Sequence, residues 1–186
     1  MKLYTIIIIV MIVQKFNAKL TAINDWLIIR LPLEVSAQMP SKGLCMADVT
    51  VHDISFKAPL EPDGQGSHWL RLSDNTAKSA GLSIGDDVDV LLEPTKDWPE
   101  PDVPTDIANA LAKEPSVHAL WDNVTPMARW DWIRWIRSTH NDDTRKKRID
   151  VAFDKLRKGT KRPCCFNRTV CTEPHVSKSG ILLSSE

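Results

Sequence analysis

Glycine is scarce in this chain, and the seven that occur are scattered, so no glycine-rich loop of the kind that cradles a phosphate can be assembled. Cysteine is equally sparse. Cys45 stands alone, and Cys164, Cys165 and Cys171 fall near the C-terminus without the regular spacing of a secreted disulfide scaffold, which points to reduced thiols and a cytoplasmic protein. No apolar run is long enough to span a bilayer: the longest, Ile6 to Val13, has eight residues where a transmembrane helix needs roughly 20. No small-x-small cleavage site follows that run directly, so residues 1–12 read as a dispensable apolar extension with Met11 as the effective start. Net charge of either sign is also absent, with 24 basic and 24 acidic side chains, yet the balance is not local. From Asp86 to Asp122 there are ten acids against two lysines, and from Thr125 to Arg168 thirteen Lys and Arg against five acids. Two opposed blocks either neutralise each other inside the fold or leave a basic surface for an anionic partner.

What is present is a change of pattern part-way along the chain. Up to Glu93 the signals are those of short strands. Gln14 to Leu20 alternates, with Phe16, Ala18 and Leu20 on one side, and Trp26 to Leu31 follows a turn at Asn24-Asp25. A short helix over Pro32 to Met39, strands over Leu44 to Val51 and Ile54 to Leu60, and a strand over His68 to Leu72 come next, the last after a turn-rich loop from Pro59 to Ser67. A capped helix over Ser73 to Ala80 then leads to a strand over Asp87 to Glu93, with Val88, Val90 and Leu92 facing a core. Short strands in this number, separated by turns, predict a small barrel, which leaves few exposed edges.

Glu93 to Pro104 holds four prolines in twelve residues and reads as a stiff acidic linker, with Trp98 as its anchor. Beyond it the period becomes helical. Thr105 to Lys113 is a short helix stopped at Glu114-Pro115, and Ser116 caps the next, with Val117, Leu120, Trp121 and Val124 on its stripe. Thr125 to Arg137 follows, with Thr125 as cap and Pro126 in the first helical position. It places Ala128, Trp132, Trp135 and Ile136 on one face and Trp130 and Ile133 on another, among Arg129, Arg134 and Arg137. A helix apolar on two sides must be held by neighbours or by a partner. The final helix has Asn141 as cap, Ile149, Ala152, Phe153 and Leu156 on one face, and Gly159 as stop. On it Lys146 and Lys147 point to solvent, while Arg145 and Arg148 reach a neighbouring helix and a carboxylate such as Asp131. The tail from Thr160 has neither period and reads as an extended surface segment.

These pieces resemble a known pair of families. The aromatic helix ending Trp135-Ile136, with Thr144-Arg145, Arg148-Ile149 and Leu156 after it, resembles the bacterial YdeI/OmpD-associated, or bacteriocin-protection, family. Lys15-Phe16, Ala18, Leu20, Pro59-Leu60 and Gly81-Leu82-x-Ile84-Gly85-Asp86-x-Val88 resemble the small β-barrel domain of unknown function that accompanies it. The last of these is also similar to AbrB-like double-split barrels, some of which bind DNA as dimers. The resemblance implies an α+β fold, a small double-split-like β-barrel followed by a helical module, and a place in bacterial stress or envelope defence.

Three groups of residues carry candidate chemistry. Cys164, Cys165, Cys171 and His175 offer thiolates and an imidazole to a zinc ion, against a reading in which the thiols pack beside Phe166. Glu61, Asp63, Ser67 and His68 collect acid-base groups in one loop without a nucleophile elbow, and His68, Trp69 and Arg71 suit a ligand at a barrel rim, against a solvated His68. Trp98, Arg129, Trp130, Arg134 and Arg137 suit either stacking and phosphate pairing with nucleic acid or a domain interface in which the arginines meet the acidic linker. The expectation is therefore a barrel at 13–93, a linker at 94–104, a helical module at 105–159 and a tail at 160–186. The function expected is that of a binding or adaptor protein without a cofactor, its partner a protein or small molecule. A nucleic-acid-binding regulator is the alternative, and a thiol- or metal-dependent enzyme the third reading.

Overall fold

The structure, a computed structural model, describes residues 13–164, 166–172, 177 and 179–183. The expectation for residues 1–12 lies outside them. Six strands among the described residues close into an antiparallel barrel: β1 (Gln14–Ile23), β2 (Trp26–Arg30), β3 (Cys45–Val51), β4 (Ile54–Pro62), β5 (His68–Leu72) and β6 (Asp87–Thr95). Around it they run β1-β2-β5-β4-β3-β6. β1 serves two neighbours, pairing through Gln14 to Lys19 with β6 and through Leu20 to Ile23 with β2. The β1–β2 and β3–β4 hairpins turn at Asn24 and His52, each at φ 52°, the left-handed conformation that tight hairpin turns require and asparagine tolerates well. Alternation fills the barrel: Phe16, Leu20, Val49, Val51, Leu70, Leu72, Val88, Val90 and Leu92 all point inward and are buried. The short α1 (Leu33–Ser36) and α2 (Asp74–Ser79) sit in the connections, and Ser73 caps α2 by accepting from the Thr76 N–H.

Two strands run further than their prolines suggest. β4 continues through Pro59 to Pro62, and β6 through Pro94 to Thr95. Register with β1 starts at the Gln14–Leu92 pair, so Pro94 lies where β6 has only β3 beside it among the described residues, and a strand edge accommodates a missing N–H.

The helical module comprises α3 (Thr105–Lys113), α4 (Pro115–Asp122), α5 (Pro126–Arg137) and α6 (Asp142–Arg157). Its own core gathers Ile107, Leu111, Val117, Trp121, Trp132, Ile133, Ile136, Ile149, Phe153 and Leu156. Caps fall at Thr125, which accepts from the Ala128 N–H, and at Asn141, which accepts from the Thr144 N–H. At α4 the expected start is corrected. Pro115 does not merely stop α3 but opens α4 as its first residue, a place where the absent N–H costs nothing, and Ser116 makes no cap. Leu120 stays exposed, off the stripe.

The tail also departs from expectation. Most of its described residues are exposed or half-buried, but Cys171 and Leu182 are buried in a third cluster with Ile23, Ile28 and Trp69. Single well-placed contacts order it, so it carries no periodic signal. Among the described residues no helix is long and apolar enough to cross a membrane.

Candidate functional site

Arg134 projects from the last turn of α5 into the junction of helices, tail and barrel and is fully buried. Its Nε donates to Oε2 of Glu61 at 3.0 Å, and Arg137, one turn further on, donates from Nη2 to Oε1 of the same carboxylate at 2.6 Å. Glu61 sits near the end of β4 opposite Trp69, so the barrel supplies one buried acid to two guanidinium groups. The tail completes the junction: Arg134 Nη2 donates to the Val170 carbonyl at 3.0 Å, Arg137 Nε donates to Thr172 Oγ1 at 2.9 Å, and the Phe166 ring lies 5.4 Å from the Arg134 guanidinium carbon. Arg134 Nη1 is buried with no hydrogen-bond acceptor among the described residues.

The other members of the aromatic-basic helix are also engaged within the chain. Arg129 grips Glu100 with Nε at 2.8 Å and Nη2 at 2.5 Å, while its Nη1 donates to the carbonyls of Trp121, Asp122 and Val124 at the end of α4. Trp130 Nε1 donates to the Pro99 carbonyl and Trp132 Nε1 to the Lys161 carbonyl, both at 3.0 Å. Of the three arginines, Arg129 grips a carboxylate of the acidic linker, whereas Arg134 and Arg137 reach Glu61 of the barrel. Trp98 is half-buried in the same linker. Asp131, expected to hold Arg145 or Arg148, is held by Arg162 and Arg168 of the tail. Arg145 pairs with Asp106, whose carboxyl it keeps below the usual range, chiefly through their hydrogen bond. Arg148 donates to the Trp135 carbonyl and to Ser138 Oγ, both at 2.6 Å, and lies over the Trp135 ring. It satisfies the end of α5, where a cation is favoured, and its burial lowers its pKa.

The barrel-rim reading of His68 is corrected. His68 is a buried strand residue: its Nδ1 lies 2.6 Å from Ser36 Oγ and its Nε2 2.9 Å from the Gly43 carbonyl, which ties α1 and the loop before β3 to β5. Burial is the leading cause of its lowered pKa. Trp69 beside it is buried, and Arg71 is exposed on the outer face, 4.3 Å from the Trp26 ring. The remaining acid-base candidates are spent on the loop itself, since Asp63 Oδ1 accepts from the Gln65 and Ser67 N–H groups and Ser67 Oγ donates to the Leu31 carbonyl.

Of the proposed zinc ligands, Cys164 is exposed near Lys155 and Cys171 is buried in the third cluster; Cys165 and His175 lie outside the described residues. No cluster of three or more metal-ligating side chains occurs among the described residues. Cys45 is buried, donates to the carbonyls of Ser41 and Gly43, and burial pushes its thiol up to about 11, which makes it a packing residue.

Sequence reasoning missed two features. Glu61 reads as a loop acid because Pro59 and Pro62 flank it, and Arg134 reads as a surface or partner-facing cation. A signal did exist, in Arg134 and Arg137 lying one turn apart on a helix that is apolar on both sides.

A small closed antiparallel barrel that shares a buried ionic junction with a helical module defines an α+β protein of two modules. Residues 13–92 match the family model described as a domain of unknown function (DUF1905), and residues 100–159 match that described as bacteriocin-protection, YdeI or OmpD-associated. The first match falls on the barrel and the second on the helical module, so each part of the chain is similar to one of the two families. No curated protein matches it.

Proposed function

We propose that this is a non-enzymatic binding or adaptor protein acting in bacterial stress or envelope defence, in the sense of the family's description as bacteriocin-protection. The observation that carries the reading is the internal use of its most reactive and most cationic groups. Glu61, Asp63, Ser67 and His68, which together suggest acid-base work, are each engaged in a contact that holds strands, loop or helix in place. Arg129, Arg134 and Arg137, which suggest phosphate binding, each grip a carboxylate within the chain. A protein so arranged works through its outer surface, and its partner is another protein or a small ligand.

The process is tested by challenging the native host with pore-forming bacteriocins after deletion of the gene. The deletion strain should die at lower doses and recover when the chain is supplied again; equal killing of parent and deletion strain would remove the proposed process. The nucleic-acid alternative makes a different forecast, retention on duplex DNA that weakens steeply with salt. The engaged arginines lead us to expect no retention at about 100 mM salt.

A further inference from the structure

The third buried cluster is where the end of the chain behaves like a bound peptide. Ile28 and Trp69 point outward from β2 and β5, since their neighbours Ile29 and Leu70 fill the barrel, and with Ile23 they form a slot on its outer wall. Leu182 fills that slot. Its N–H donates to the Asp63 carbonyl at 2.9 Å, and the next carbonyl, that of Leu183, accepts from Arg30 Nη2 at 2.5 Å. Gly180, at φ 78°, turns the segment into place, and its carbonyl passes so close to Gly64 that a side-chain carbon on Gly64 would collide with it.

Two observations set this slot apart from ordinary core. Among the described residues the segment meets the barrel through one buried side chain and two main-chain hydrogen bonds, its other main-chain bonds going to Ser177 of the tail itself, while the adjacent Leu183 is 42% exposed. Trp69 Nε1, buried in the wall of the slot, has no hydrogen-bond acceptor among the described residues, whereas a buried indole N–H ordinarily has one. The tail therefore fits the slot by shape and leaves part of its polarity unanswered.

We propose that this slot is a docking site for an extended peptide, occupied in cis by Ile181 to Leu183. Its trans occupant is a segment of a partner protein with a branched aliphatic side chain in the place of Leu182. That segment gives a main-chain N–H to the Asp63 carbonyl, offers a carbonyl to Arg30 and brings an oxygen to Trp69 Nε1. Strand-like peptides are recognised in this way, with main-chain bonds supplying affinity and a side-chain pocket supplying selectivity. The tethered tail competes at high effective concentration, so the site opens only to a partner that outbids it. The inference rests on the reading of the chain as a binding protein and names the class of partner.

The test uses the full chain carrying Leu182→Asp and a fluorescent peptide with the sequence of residues 177–186. The variant should bind the peptide saturably and at least about tenfold more tightly than the wild-type chain, whose own tail competes. A peptide carrying Asp in place of Leu182 should not bind. A folded Leu182→Asp chain that ignores the peptide would overturn the proposal, and so would a variant that fails to fold, because the tail would then be fixed core. Hydrogen exchange on the wild-type chain gives an independent measurement. The Leu182 amide should exchange at least about a hundredfold faster than the Leu20 amide, which donates to the Asp86 carbonyl at the barrel. Equal protection of the two would also overturn the proposal. None of these results depends on bacteriocin survival, so failure of the site and failure of the proposed process are distinguishable.

Discussion

His68 holds three pieces of backbone with one ring. From β5 it reaches Ser36 in α1 and the carbonyl of Gly43, and only a neutral imidazole sits there without bringing a charge into the interior. Burial lowers its pKa, against opposing pulls from the Gly43 carbonyl and the nearby Asp63 and Glu61 carboxylates. The unfolded chain takes up the proton at about 6.5, and the folded chain only at lower pH. The unfolded state therefore binds more protons in that window, and stability is complete above about pH 6.5 and declines as the pH falls below it. Melting temperature should accordingly drop between about pH 7 and about pH 5. His68→Gln should melt lower at neutral pH yet show a flatter profile across the same range. The Asp106 carboxyl, held down by Arg145, titrates well below this window and does not confuse the measurement. An unchanged slope in His68→Gln would show that other groups govern the acid side.

At the scale of elements, α5 and α6 show why basic side chains have unequal worth. Arg134 is buried against a buried Glu61, Arg148 caps the end of α5, Arg145 forms a partly exposed pair with Asp106, and Lys147 is exposed. Breaking a buried pair leaves charge without a partner and costs on the order of 3 kcal/mol, whereas an exposed pair contributes about 0–1 kcal/mol. Urea midpoints should therefore fall most for Arg134→Ala and less for Arg148→Ala, by about 1–3 kcal/mol for the latter. Arg145→Ala and Lys147→Ala should stay within about 1 kcal/mol of wild type. Arg134→Lys should not rescue, because an ammonium lacks the planar fork that spans Glu61 and the Val170 carbonyl. Equal midpoints for Arg134→Ala and Arg145→Ala would contradict the geometry. The strands and helices around this site were legible because periods of two and 3.6 residues report which side is buried, as Val88, Val90 and Leu92 do on β6 and Ile149, Ala152, Phe153 and Leu156 on α6. Arg134 was not legible, since arginine is seldom fully buried unless paired and its partner lies 73 residues away. The tail was hidden for a related reason: its order depends on Leu182 and on the close approach of Gly64 and Gly180, and neither leaves a pattern in sequence.

At the scale of the molecule, each module has its own apolar core, and what joins them is narrow and specific. Among the described residues the acidic and basic blocks meet at three ion pairs, Arg129 with Glu100, Arg145 with Asp106 and Arg157 with Glu114, and the helical side then sends Arg134 and Arg137 to Glu61 of the barrel. The tail runs between them, accepting from Arg134 through Val170 and placing Leu182 against the barrel wall. Cutting the chain in the proline segment separates Glu61 from both of its arginines and removes the cover from Trp69. Arg134 is then left in a buried place without its carboxylate, which favours rejoining over independence. Residues 13–95 and 96–186, produced together, should co-purify as a one-to-one complex. Glu61→Ala in the first piece should weaken that complex at least about tenfold, the equivalent of 1.4 kcal/mol, because the buried Arg134 then loses its carboxylate and the partly buried Arg137 loses one of its contacts. The dependence on salt should be shallow, since the Glu61 pairs are shielded from solvent, and of the described ion pairs that cross the cut it is Lys57–Asp97 that is open to screening. Two pieces that are each soluble, melt cooperatively and pass through a sizing column without meeting would show that the ionic junction and the tail merely touch the barrel.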